Sequence, residues 1–119
     1  MSDNVAIVSG AAKGMGNSFA KKLAAEGYKV LAFDIDRAVE EIKGVQGMVA
    51  DVSKVGQVEA VVKEANKLGV IKVVVNNAGA WRRTPVDGPW DQALSDWDYI
   101  MDTNLKGVLM LSRASIAHM

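Results

Sequence analysis

An α/β fold on a doubly wound parallel sheet is predicted by three observations. Short apolar runs alternate along the chain with segments whose apolar residues recur at helical spacing. The runs are apolar without alternation, as strands buried on both faces of a parallel sheet should be. The first run, Val5, Ala6, Ile7 and Val8, passes through a turn containing Gly10, Gly14 and Gly16 straight into a helical segment.

The opening helix is expected over 17–26, with Met15, Phe19 and Leu23 at i, i+4 and i+8 as its apolar face and Gly27 as its stop. A second strand over 29–33 ends at Asp34, and a short helix follows over 37–42. Gly44 and Gly47 flank a turn into a brief strand over 48–50. Asp51, Val52 and Ser53 lead into a helix whose apolar face is Val55, Val58, Val62, Ala65 and Leu68, stopped by Gly69. The fourth strand covers 71–75 and is apolar apart from Lys72. A long loop over 76–94 holds both prolines, and Ser95 is the expected N-cap, with Asp98 at N3, of a last helix running to the end. Right-handed crossovers then give the sheet order 3-2-1-4 with helices on both faces, and a cleft where the order reverses, at the carboxyl ends of strands 1 and 4.

Composition narrows the function. The 119 residues suggest one domain, able to bury about two thirds of its unfolded surface. Fourteen basic and fourteen acidic side chains cancel, so no net field favours nucleic acid or an anionic membrane. No cysteine occurs and His118 is the only histidine, so neither a disulfide nor a metal cluster is expected. The polar start Met1-Ser2-Asp3-Asn4 shows no signal peptide and no apolar run is long enough to span a bilayer, so a cytoplasmic protein is expected.

The glycine turn is where chemistry is expected. A helix start exposes unpaired N–H groups and the positive end of the helix dipole, and a diphosphate binds there when no side chain blocks the approach. Asp34 lies 20 positions after Gly14, about the spacing of an acid that accepts hydrogen bonds from an adenosine ribose. Such a carboxylate repels a 2′-phosphate, which favours NAD over NADP, although Lys13 in the turn pulls the other way. A solvated strand-end residue is the plainer alternative for Asp34.

The turn here is G-x-x-x-G-x-G, not G-x-G-x-x-G, and with Ser9 before it resembles the T-G-x-x-x-G-x-G turn of the short-chain dehydrogenase/reductase family, Ser standing for Thr. Asn76-Asn77-Ala78-Gly79 is similar to that family's N-N-A-G motif, and Thr103-Asn104-Leu105-Lys106-Gly107 to its N-x-x-G stretch. The resemblance runs from Val5 to the C-terminus and implies a Rossmann-type fold. It also implies cofactor-binding residues: Gly10, Lys13, Gly14, Met15 and Gly16 at the phosphates; Asp34 and Ile35 at the ribose; Asp51 and Val52 at the adenine; Asn77, Ala78 and Gly79 along the rest. It gives Asn104 a catalytic part, bending its helix and holding a water on a proton-relay path. The asparagines of N-N-A-G are expected to tie their turn to neighbouring strands.

The implied activity is hydride transfer between a nicotinamide dinucleotide and an alcohol/carbonyl substrate. The family's Tyr-x-x-x-Lys pair is missing: Ala32 stands four after Tyr28, and Thr103 four after Tyr99. Ser112 and Ser115 come too early for its serine. The chain therefore reads as the cofactor-holding part of a longer enzyme, truncated after its fourth helix and inactive alone. The alternatives are a non-catalytic NAD-binding module and an interaction protein. An apolar edge at strand 4 and an exposed helix face with Ile100, Met101, Val108 and Leu111 would favour a homo-oligomer. Trp81, Arg82, Arg83 and Trp90 belong to the long loop, where two arginines suit an acidic substrate and packing of the tryptophans on the scaffold is the alternative.

Overall fold

A computed structural model of the chain describes residues 3–119; Met1 and Ser2, which open the polar N-terminus, lie outside the described residues. Four parallel strands, β1 (Asn4–Ser9), β2 (Lys29–Asp34), β3 (Gln46–Val49) and β4 (Val70–Val75), form one sheet in the order β3-β2-β1-β4. Helices α1 (Gly14–Ala25), α2 (Val55–Leu68), α3 (Trp90–Met101) and α4 (Gly107–Ile116) complete the fold, with a 3-10 turn at Arg37–Glu41 and a π-helical turn at Asp102–Lys106 between α3 and α4. The predicted strand order and alternation are both present. The third strand starts two residues earlier than the sequence suggested, because Gln46 and Gly47 already pair with Leu31 and Ala32.

Each face of the sheet has its own core. Val5, Ile7, Leu31, Phe33 and Ile71 pack against Val58, Val62 and Ala65 of α2 and Leu111 of α4. On the other face Ala6, Val8, Ala32 and Val39 meet α1 through Ala20. Alternation along β1 and β2 thus separates a face of mostly large side chains from one of mostly small ones, and the small face lets α1 lie close. Here the structure corrects the predicted face of α1. Gly16 and Ala20 are its buried residues, Met15 and Phe19 are 71% and 41% exposed, and Leu23 is half-buried. A Cβ on Gly16 would strike the Gly10 carbonyl, so contact this close requires the small residues, which stand one position beyond the large ones. α1 ends as expected at Gly27 (φ +100): Gly27 N–H donates to Ala24 O and Tyr28 N–H to Leu23 O, the paired bonds of a Schellman cap.

On α2 the buried residues are Val58, Val61, Val62 and Ala65, while Val55 is 57% exposed at the first turn. In β4, Lys72 marks a bulge. The partners of β1 step from Ile71 to Val73, skipping Lys72, which is exposed. One extra residue reverses the alternation, so Ile71 and Val74 serve one core and Val73 and Val75 the other.

The loop after β4 is shorter than predicted. α3 begins at Trp90, where Ala93 N–H donates to Pro89 O and Asp91 in the first turn complements the dipole. Ser95 is therefore a residue inside α3, not its cap. Of the face expected to be exposed, Val108 is exposed, Ile100 and Met101 are half-buried, and Leu111 is fully buried against α2 and the sheet; Leu109 and Ile116 are exposed as well. Among the described residues no helix is long and apolar enough to cross a membrane.

Candidate functional site

The carboxyl ends of all four strands open into a cleft of about 550 Å³. Its floor at the switch between β1 and β4 is made by Gly10, Asn77, Ala78 and Gly79. Ser9 knits that floor. Its hydroxyl accepts from Asn77 N–H (3.0 Å) and Ala78 N–H (2.9 Å) and donates to Val75 O (3.3 Å), while Asn77 Nδ2 donates to Gly10 O (3.0 Å). The other asparagine departs from expectation: Asn76 Nδ2 donates to Ser112 Oγ on α4 (3.1 Å), tying the turn to a helix and not to a strand.

The glycine turn uses its glycines in different ways. Gly10 and Gly14 both have φ +63. A Cβ on Gly10 would lie 2.8 Å from Ala78 Cα, so that glycine makes room for the N-N-A-G turn. A Cβ on Gly14 would meet nothing within 4 Å. α1 starts there with Lys13 at the N-cap, no side-chain cap and no acidic residue in the first turn. Its leading amides stand at an open approach, as an incoming anion requires.

Asp34 links this turn to the cleft. Its Oδ2 accepts from Ala12 N–H (3.0 Å) and its Oδ1 from Asp36 N–H (3.0 Å), and Ala11 N–H donates to Phe33 O (3.2 Å). The carboxylate is half-buried, tethered by two backbone amides, and lines the cleft with Ile35 and Lys13. Across β3, Asp51 Oδ1 accepts from both Ser53 N–H (2.9 Å) and Ser53 Oγ (2.6 Å), and Asp51 N–H donates to Gln57 Oε1 (2.7 Å). Val52 is buried with its side chain beside Gly107, and the residue also lines the cleft.

The cleft is also lined by Ala80, Tyr99, Asp102 and Thr103. Sequence reasoning weighed Tyr99 only as half of a Tyr-x-x-x-Lys pair. The signal for its place was the spacing of Tyr99, Asp102 and Thr103, which share one helical face. Asn104 sits within the π-helical turn and does not line the cleft; it accepts from Ala80 N–H (2.6 Å) and donates to Ala80 O (2.9 Å). Of the predicted cofactor residues, Gly10, Lys13, Asp34, Ile35, Asp51, Val52, Asn77, Ala78 and Gly79 surround the cleft, and Gly14 stands exposed on the same turn. Met15 and Gly16 do not line it: the first faces outward and the second is buried under the turn.

The arginine loop also differs from expectation. Arg82 lies over the Tyr99 ring, 3.7 Å from its centroid, and pairs with Asp96 at 3.5 Å, so its charge is already engaged. Trp81 and Trp90 are each 80% exposed and do not pack on the scaffold. Among the described residues no group of three or more metal-ligating side chains occurs.

A parallel sheet of order 3-2-1-4, with a glycine turn and a helix start at its switch point, defines a Rossmann-type nucleotide-binding fold. The family model for short chain dehydrogenases matches residues 4–119, and the chain belongs to that family. Galactitol 2-dehydrogenase of Agrobacterium fabrum is 34% identical over 121 residues, covering 96% of this chain and 46% of that protein. A short chain dehydrogenase/reductase from Burkholderia phymatum, solved in complex with NAD, superposes with a TM-score of 0.85 at 29% identity over 98% of this chain and 44% of its own. The 3-ketoacyl-(acyl-carrier-protein) reductase from Brucella melitensis, complexed with NADH, gives a TM-score of 0.84 at 31% identity, over 97% and 50%. The chain thus spans about half the length of the relatives it matches.

Proposed function

We propose that this chain is the cofactor-holding part of a short-chain dehydrogenase/reductase and that it binds NAD in preference to NADP. The observation that carries the reading is the open, uncapped start of α1 at Gly14, with the Asp34 carboxylate tethered beside it. The residues suit the cofactor: first-turn amides for the diphosphate, Asp34 for the adenosine ribose, Asp51 and the Val52 backbone for the adenine. When bound, the nicotinamide supplies the hydride chemistry, oxidising or reducing an alcohol/carbonyl pair. Asp34 decides the preference because a 2′-phosphate would be brought against a carboxylate that two backbone amides prevent from swinging away. Lys13 at the same turn is exposed and offsets this in part.

For Asn104 we infer a positioning part, since its carboxamide is already shared with Ala80. The chain contains no Tyr-x-x-x-Lys segment, so it is expected to hold the cofactor without oxidising simple secondary alcohols. Self-association belongs to the same reading, because β4 is an edge strand and Leu109 and Ile116 are exposed. Light scattering at micromolar concentration is expected to show more than a monomer.

Titration calorimetry tests the central claim. NAD should bind, NADP should bind at least about tenfold more weakly, and Gly14→Val should weaken NAD by about 100-fold or more, since a side chain there enters the phosphate approach. Undiminished NAD affinity in Gly14→Val, or a preference for NADP, would overturn it.

A further inference from the structure

We propose that Asp96 is a positioning residue that latches the loop after Gly79 onto α3 and so sets the far wall of the cleft. The inference rests on the dinucleotide reading for its ligand but stands on its own geometry. Asp96 is the one charged residue buried among those described, at 6% exposure. A carboxylate is buried only where its oxygens find partners. Both partners come from one stretch of exposed loop: Arg82 pairs with Oδ1 at 3.5 Å, and Thr84 Oγ1 donates to Oδ2 at 2.8 Å. The Arg82 guanidinium also covers the ring of Tyr99, three residues after Asp96 on the same face of α3.

Residues 81–90 are all exposed and carry no regular structure before α3. Arg82 and Thr84 reach Asp96 from this stretch, while their neighbours Trp81 (80% exposed) and Arg83 are exposed. Asp96 therefore selects which residues of the loop face the helix and which face the solvent. Through Arg82 it also backs Tyr99, a residue of the cleft wall on the side of Ala80, which follows β4, whereas Asp34 ends β2. Together with the Asn104 bonds to Ala80, this leaves the segment held at 80, 82 and 84.

Two measurements on the same variants test the latch. Trypsin cuts after Arg82 and Arg83, and cleavage of a held loop requires it to open. Without ligand, Asp96→Ala should be cut there about tenfold faster than the unaltered protein, with Asp96→Asn, which keeps an acceptor for Thr84, and Thr84→Val in between. Binding of NAD should weaken by about five- to tenfold in Asp96→Ala while ADP-ribose, which lacks the nicotinamide, changes by less than about twofold. Unchanged cleavage across the series would overturn the latch, as would equal loss of NAD and ADP-ribose, which marks a general loss of structure. Should Asp96→Ala fail to fold, Asp96→Asn and Thr84→Val carry the same comparison. An unaltered protein that binds neither NAD nor ADP-ribose would sink the dinucleotide reading, and the cleavage rates would still decide the latch.

Discussion

The two ends of the cleft are built by different means. At the Asp34 end, the glycine turn is held mainly by backbone amides: Ala11 N–H on Phe33 O, Ala12 N–H on Asp34, and the Gly16 backbone seated on Gly10. At the Tyr99 end, the chain is held by side chains: Asn104 on Ala80, Asp96 on Arg82 and Thr84, Ser112 on Asn76. Backbone ties at the edge of a buried core leave little freedom, whereas side-chain ties on an exposed loop can be exchanged for water. On the proposed reading the first end serves the diphosphate and its sugar.

That difference decides how much was legible in the sequence. The sheet order, Gly27 as a helix stop and the cleft at β1 and β4 follow from periodicity, crossover handedness and glycine's access to positive φ, all of which are local or nearly so. The place of Asp34 at the cleft was legible because it depends on spacing from a turn. The face of α1 was not, because the largest apolar residues attract the eye while the contact with β1 selects the smallest, Gly16 and Ala20. Lys72 interrupts the apolar run of β4, but a bulge is a property of the pairing and shows only once β1 lies beside β4. The latch at Asp96 depends on contacts 12 to 14 residues apart between a loop and a helix, which no pattern announces. The start of α3 was available from Pro89 and Asp91, and the stronger cap former Ser95 obscured it.

The largest effect should come from the backbone-held end. Gly16→Ala places a methyl against the Gly10 carbonyl and Asn77 Nδ2, and a backbone atom cannot step aside without moving the turn. A loss of about 2–3 kcal/mol in urea unfolding is expected, with cofactor binding falling alongside. Gly14→Ala is the contrasting case. Its Cβ meets open space, so the cost is the left-handed backbone alone, about 1–2 kcal/mol. If Gly16→Ala proves the milder of the two in unfolding, the claim that this end is rigidly packed is wrong.

A smaller effect is expected at the other end. Asn104→Ala removes both bonds to Ala80 at a residue that is itself exposed, so water replaces part of what is lost. About 1 kcal/mol of stability should go, with faster amide exchange at Ala80 and little change at Ala12. Equal acceleration at both amides would mean that the ends of the cleft open together, and the distinction between them would fail.

The smallest effect is the most discriminating. Ser112 Oγ accepts from Asn76 Nδ2, and Asn76 is exposed where Asn77 is tucked into the floor. An exposed bond between neutral groups is readily exchanged for water, so Ser112→Ala should shift stability by less than about 0.5 kcal/mol and NAD affinity by less than about twofold. The floor should survive because Ser9 and Asn77 hold it independently of α4. A tenfold loss of NAD affinity in Ser112→Ala with unfolding unchanged would show that α4 reaches the cofactor through Asn76. The grip on the dinucleotide would then be shared with the side-chain-held end and could not be assigned to the glycine turn and Asp34 alone.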